Sequence, residues 1–164
     1  MSRLSFYEVD DEYVNYLCKF DSKVMYSKEE DRRFRRKYIG ILFQIESTYY
    51  IAPLSSYKSH KHDKMKESID FIKLGKLAII NLNNMFPVTL NVINKVNIEK
   101  VQDIAYKELL RDEYKLCVPK FGKIISNAYI LYKQVTVHNM PIKTRCCNFK
   151  LLEDKCKEYQ NKNQ

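Results

Sequence analysis

Glycine and proline are scarce in this chain, three and four among 164 residues, and tryptophan is missing altogether. So few chain breakers, beside 45% hydrophobic residues, exclude a linker-rich or disordered polypeptide. A chain of this length folding as a single domain over residues 1–164 buries about 70% of its unfolded surface. No apolar run approaches the roughly 18 residues that a membrane helix needs. The first dozen residues carry acids and lack the apolar stretch of a secretory leader. A cytoplasmic protein with no membrane partner is therefore expected. Cys18, Cys117, Cys146, Cys147 and Cys156 form no C-x-x-C, and the adjacent pair suits neither a simple disulfide nor a zinc knuckle, so free thiols in a reducing cytosol are expected. A glycine-rich phosphate loop, H-E-x-x-H, an EF-hand loop and G-x-S-x-G are all missing too. Internal repeats and low-complexity tracts are likewise not found.

Acidic residues are the minority: 20 against 29 Lys and Arg, for a formal charge of +9. Such a balance speaks to partners more than to fold, and polyanions come first, with RNA, DNA or an acidic membrane surface as the classes. The plain alternative is lysine serving solubility. Thirteen tyrosines and eight phenylalanines are interleaved with the cations, which suits single-stranded RNA, whose splayed bases stack on rings. Tyr7, Tyr13, Tyr26 and Tyr57 are the stacking candidates, each in competition with a place in the core.

Periodicity gives the order of elements. Residues 4–9 read as a strand, and Asp10 and Asp11 precede a helix to about Phe20 with Tyr13, Val14, Leu17 and Phe20 on its buried stripe. Residues 21–36 are charged and read as a loop carrying Arg32, Arg33, Arg35, Arg36 and Lys37 to the next strand. Residues 38–45 and 48–54 form two β-rich runs joined by Glu46-Ser47, a hairpin in which Pro53 ends the second strand or lies at its edge. A basic loop over 55–67, strands over 69–74, 76–80 and 88–92 and a bend at Phe86-Pro87 follow. Helices are expected from about Asn97 to Cys117 and from Phe121 to Val135, with a last one capped by Asn148. Strands segregated from helices indicate an α+β fold, an antiparallel sheet packed by helices.

Three features bear on chemistry. His60-x-His62 with Asp63 is a two-histidine pattern lacking a third ligand at a recognisable spacing; two histidines exposed in a basic loop explain it as well. Ser55-Ser56-Tyr57-Lys58 at a strand end can grip phosphate, the hydroxyls by hydrogen bonds and the ammonium by charge, although serines are common in loops for turn chemistry alone. The hairpin would bring Arg36 and Lys37 beside Ser55, Ser56 and Lys58, so that two basic loops converge at one edge of the sheet.

Several blocks carry a family likeness. Phe6-Tyr7, then Tyr13-x-x-Tyr16-Leu17 and Phe20-Asp21, resemble the opening of ToxN and AbiQ proteins. Tyr38-Ile39-Gly40-Ile41 resembles their glycine-containing strand, and Ala52-Pro53-Leu54-Ser55-Ser56-x-Lys58 their A/V-P-L-T/S-S-x-K motif. Ile80-Asn81-Leu82-Asn83-x-Met85-x-Pro87 and Cys147-Asn148-Phe149-x-Leu151-Leu152-Glu153 follow in the same order. The chain thus resembles the ToxN/AbiQ family, endoribonuclease toxins of type III toxin–antitoxin systems.

The resemblance implies a twisted antiparallel sheet with about four helices, similar to the SH3-like barrel of MazF and Kid toxins. It implies a metal-independent endoribonuclease that needs no cofactor. Its antitoxin would be a small structured RNA from a repetitive transcript that the toxin cuts, the two closing into a ring. Some members act in phage defence by abortive infection. Ser56 takes the family's essential serine, Ser55 the preceding Thr/Ser, and Lys58 the nearby lysine. Arg36 falls where a family member has lysine, a departure that leaves Lys37 as the alternative. Arg32, Arg33, Arg35, Lys37, Tyr13, Tyr57, His60 and Lys61 are the expected RNA contacts. In the implied reaction the RNA 2′-hydroxyl attacks the adjacent phosphorus. Ser56 hydrogen-bonds the 2′-hydroxyl or phosphate, Ser55 assists, and Lys58 or Arg36 stabilises the charge. A lysine crowded by cations gives up its proton more readily, so Lys58 or Lys37 is the candidate shuttle; arginine cannot serve. A non-catalytic RNA- or DNA-binding module is the alternative that charge and tyrosine content fit equally. A membrane-surface protein lacks the basic amphipathic anchor.

Overall fold

The computed structural model describes residues 4–24 and 38–163. Seven strands form one antiparallel sheet: β1 (Phe6–Val9), β2 (Tyr38–Ile45), β3 (Thr48–Ser56), β4 (Phe71–Leu74), β5 (Ala78–Asn81), β6 (Phe86–Val88) and β7 (Ile93–Lys95). They run in the order β4-β5-β3-β2-β1-β7, with β6 paired to β3. The helices are α1 (Asp11–Cys18), a single turn α2 (Ser59–His62), α3 (Ile104–Cys117), α4 (Phe121–Thr136) and α5 (Phe149–Lys162). The α+β expectation holds, with four helices longer than one turn among the described residues.

The β2–β3 hairpin is the spine. Ile45 pairs Thr48 and Gly40 pairs Pro53, leaving Glu46-Ser47 as a two-residue turn with Glu46 at φ 57°. Both strands bury apolar residues almost throughout: Ile41, Phe43, Ile45, Tyr50, Ile51 and Ala52. Gly40 is required by closeness. A Cβ there would lie 2.6 Å from the Ala52 carbonyl oxygen and 2.7 Å from Ile51 Cγ1, so only glycine lets the two strands meet at this point.

β3 changes partners along its outer edge. Tyr49, Tyr50 and Ile51 pair β6, whereas Leu54, Ser55 and Ser56 pair β5. Pro53 sits at the changeover, the one place where a residue without an N–H costs no ladder bond on that side. The strand expected over 48–54, with Pro53 at its end or edge, runs on: β5 picks it up and carries it through Ser56 in a curled sheet. The sequence 86–88 is likewise a strand rather than a bend, and 90–92 is a 3-10 turn rather than the end of a strand. The reason is tertiary: β6 is held by pairing with β3, and the Pro87 carbonyl accepts the Tyr13 hydroxyl at 2.6 Å. α3 begins at Ile104 rather than near Asn97. Asp103 caps it by accepting the Tyr106 N–H at 2.9 Å, and a 3-10 turn occupies Ile98–Lys100.

The core lies between the sheet and α1, α4 and α5. Ile124, Ala128, Leu131 and Tyr132 of α4 and Phe149, Leu152 and Cys156 of α5 are buried against it. Each fully buried side chain of this size contributes about 1.5–3 kcal/mol. At the junction, Glu153 Oε1 accepts hydroxyl protons from Tyr50 at 2.8 Å and Tyr132 at 2.7 Å, satisfying two phenols that burial strips of water. All five cysteines are unpaired and four are buried. Burial pushes the Cys117 and Cys146 thiols up to about 12, so they pack as small apolar groups. No described helix is long and apolar enough to cross a membrane.

Candidate functional site

The segment singled out by its hydroxyls and lysine is the C-terminal end of β3 and the turn that follows. It is more ordered than the loop expected over 55–67. Leu54 pairs Ile80, Ser55 pairs Ile79 and Ser56 pairs Ala78. The Tyr57 N–H donates to the Leu77 carbonyl at 3.4 Å, prolonging the ladder by one residue. The β4–β5 hairpin that supplies this support turns at Gly75, whose φ of +55° lies in the left-handed region where a Cβ is strained. Antiparallel pairing of Gly40 with Pro53 places Tyr38, the first residue of β2, at the same end of the sheet as Ser55.

Successive strand residues face opposite sides of the sheet. Ser55 shares a face with Asn81, which lies diagonally across on β5, and Ser55 Oγ accepts the Asn81 amide proton at 2.9 Å. With its lone pair so engaged, the Ser55 hydroxyl keeps its own proton to donate. Ser56 is exposed on the other face, as is Lys58 two residues on. The two hydroxyls thus lie on different sides of the strand end.

The chain then closes a single helical turn. Lys58 is extended, with φ −121° and ψ 107°. Its N–H donates to His62 Nδ1 at 2.8 Å, and its carbonyl accepts the His62 N–H at 2.7 Å. His62 is buried, and its ring centroid lies 5.2 Å from that of Tyr57. Burial, then the cations Lys61 and Lys73, pushes the His62 imidazolium pKa below its ordinary value. The Tyr57 hydroxyl donates to Asp63, a bond that raises the phenol's pKa. His60 and Lys61 are exposed on the turn. Both His62 Nδ1 and Asp63 are thus engaged by the turn itself, and no group of three metal-ligating side chains occurs among the described residues.

Of the residues anticipated from sequence, Ser55, Ser56, Tyr57, Lys58, His60 and Lys61 share this strand end and turn. Arg32, Arg33, Arg35, Arg36 and Lys37, and with them Tyr26, lie outside the described residues. Tyr13 is corrected. It is 1% exposed, its hydroxyl is spent on Pro87, and its ring packs 5.0 Å from Tyr159 and 6.4 Å from Phe86. It belongs to the core and has no face for a base. One contributor escaped the sequence reading, Asn81, visible there only inside the Ile80-Asn81-Leu82 block; His62, noted there only in a two-histidine pattern, contributes instead through its spacing of four from Lys58, which matches one helical turn.

The family model described as toxin ToxN of the type III toxin–antitoxin system matches residues 5–157. Endoribonuclease ToxN of Bacillus thuringiensis subsp. kurstaki is 30% identical over 97% of this chain and 86% of its own length. Endoribonuclease AbiQ of Lactococcus lactis subsp. lactis is 28% identical over 97% of this chain and 91% of its own. A solved AbiQ structure, described as a lactococcal anti-phage endoribonuclease, superposes at a TM-score of 0.80 over 98% of this chain and 99% of that one, at 24% identity. A solved type III toxin–antitoxin structure, concerned with selective toxin inhibition by a non-coding RNA pseudoknot, superposes at a TM-score of 0.83 with 27% identity, covering 97% of this chain and 99% of that one. With a family model spanning nearly the whole chain and relatives aligned along nearly all of it, this chain belongs to the ToxN toxin family of type III toxin–antitoxin systems.

Proposed function

We propose that this chain is a metal-independent, sequence-preferring endoribonuclease toxin acting in the cytoplasm, whose site is the end of β3 and the turn after it. The reading is carried by one observation: within a family of named endoribonucleases, the Pro53-Leu54-Ser55-Ser56-x-Lys58 run sits at an exposed strand end braced by β5, Asn81 and the α2 turn. A braced strand end suits catalysis, because donors must be held in place before charge develops.

The RNA supplies its own nucleophile. Its 2′-hydroxyl attacks the adjacent phosphorus, the P–O5′ bond breaks, and 2′,3′-cyclic phosphate and 5′-hydroxyl ends result. The 2′-hydroxyl proton leaves and a proton is delivered to the 5′-oxygen. Ser56 hydrogen-bonds the 2′-hydroxyl or a phosphate oxygen, Ser55 assists with the proton its bond to Asn81 leaves free, and Lys58 with Arg36 or Lys37 neutralises the charge on phosphorus. Arg32, Arg33, Arg35, Tyr57, His60 and Lys61 guide the strand. The inhibitor is a small structured RNA processed from a repeated transcript and held with the toxin in a ring, and the biological role is phage defence by abortive infection. The curled sheet is read as a variant of the SH3-like barrel of MazF and Kid.

The test is Ser56→Ala, expressed without an antitoxin RNA and assayed for growth arrest, cleavage and RNA affinity. Cleavage falls by about 10² to 10³ with folding and most of the affinity retained, and wild-type cleavage persists in EDTA. A folded Ser56→Ala protein that cuts and arrests growth like the wild type removes the site. A wild-type protein that binds RNA without cutting it would point instead to a non-catalytic RNA-binding module.

A further inference from the structure

Among the buried titratable groups that the mechanism just given leaves unused, His62 lies beside its lysine. His62 is 7% exposed beneath the exposed Lys58–Lys61 turn, and it exchanges two hydrogen bonds with the backbone of Lys58. We propose that His62 is a positioning residue for Lys58, and that its neutral imidazole locks the lysine at the strand end while protonation releases it.

A neutral imidazole has one nitrogen that donates and one that accepts. Nδ1 accepts the Lys58 N–H, so the ring proton is on Nε2. An added proton can go only to Nδ1, and the resulting imidazolium has no acceptor. Protonation therefore turns the 2.8 Å contact into two N–H groups facing one another, and the turn must open. The bond anchors the backbone of the very residue whose ammonium is to meet the phosphate, two positions after Ser56. The ring also backs Tyr57, whose hydroxyl closes the turn from the other side on Asp63.

The surroundings favour the neutral form. Lys58, His60 and Lys61 from its own turn and Lys73 from β4 all oppose a positive charge on His62, in addition to burial. The nearby carboxylates are engaged elsewhere: Asp63 by the Tyr57 hydroxyl, and Glu67 by the Lys73 N–H and by Lys123. At neutral pH the lock is closed. As pH falls through the lowered pKa of His62 the lock opens, so cleavage should lose rate on the acid side.

This inference rests on Lys58 acting at the scissile phosphate, and the experiment separates the two. Cleavage of a short RNA oligonucleotide is measured at single turnover from about pH 5 to about pH 8 for the full chain and for His62→Ala, His62→Asn and Ser56→Ala. Asparagine places an amide oxygen near the Nδ1 position and does not titrate. His62→Ala should lose about tenfold to a hundredfold at neutral pH, the scale of a misplaced catalytic group. His62→Asn should restore most of that rate and abolish the acid limb. In the wild type, the Lys58 backbone amide should shift in NMR with the same midpoint as the His62 ring. An acid limb unchanged in His62→Asn, or a Lys58 amide indifferent to His62 titration, overturns the proposal even if His62→Ala fails to fold. Full cleavage by Ser56→Ala overturns the underlying site instead.

Discussion

At the residue scale, single atoms decide whether β2 and β3 can meet. Gly40 shows this most simply: the Ala52 carbonyl lies where its Cβ would be. The obstacle is backbone, so Gly40→Ala must part the strands close to Pro53. A cost of about 1–3 kcal/mol is expected from such overpacking, lowering the melting temperature by about 2–4 °C per kcal/mol for a chain of this size. Thermal melts of the two proteins check it, and an unchanged midpoint would show that the strands yield freely. His62 adds a second residue-scale effect. Its folded pKa lies below the ordinary value near 6.5, so the folded state binds the proton less readily than the unfolded chain. Its contribution to stability is present above that ordinary value and is lost as pH falls through the lowered one.

At the scale of elements, β3 and α5 show how local signals and partners combine. α5 begins where its sequence says it should, because the Asn148 side chain accepts the Leu151 N–H at 3.2 Å and satisfies a donor the helix leaves open. Asn148 is exposed, and its contact with Asp21 is made by its backbone N–H, so Asn148→Ala isolates the cap. It should cost about 1 kcal/mol in denaturant unfolding with an unchanged slope, and Asn148→Asp should recover most of it. Equal loss in both variants would mean that the asparagine acts by some contact other than its side-chain oxygen. β3 behaves differently. Nothing in Ser55-Ser56 announces a strand; the extension past Leu54 exists because β5 offers Ile80, Ile79 and Ala78 as partners.

At the scale of the whole molecule, charge is the property that reaches furthest. An excess of nine cations suits the proposed RNA partner, whose binding would release counterions, so affinity should fall linearly with salt on logarithmic axes. Lys58 is exposed, and replacing it with alanine should both weaken binding and flatten that slope by about one unit. Ser56→Ala should leave the slope as it is. Fluorescence titrations of a labelled single-stranded RNA at several salt concentrations test this; parallel slopes for wild type and Lys58→Ala would take Lys58 off the phosphate path.

Much of this protein could be read before any coordinate. Charge and the wealth of tyrosine indicate a polyanion partner, and two β-rich runs joined by Glu46-Ser47 mark the hairpin over 38–54. Helices after Pro119 and Asn148 announce their own starts, since breakers and caps act within a few residues of themselves. The ordered blocks from Phe6 to Glu153 carry the family. What the chain in isolation could not decide depends on residues far apart meeting. Tyr13 reads both as a stacking ring and as part of a helix's buried stripe, and it is a core residue, because Pro87, 74 positions away, takes its hydroxyl. Ser55 and Ser56 look like a loop and form a strand end, because β5 pairs with them and Asn81 reaches Ser55 from 26 positions on. His62 looks like half of a metal motif and instead holds the Lys58 backbone. Local sequence dictates where elements begin and end through bonds closed within a turn; which face is buried, and which hydroxyl is left free, follows only when long-range pairing removes some groups from water and leaves others exposed.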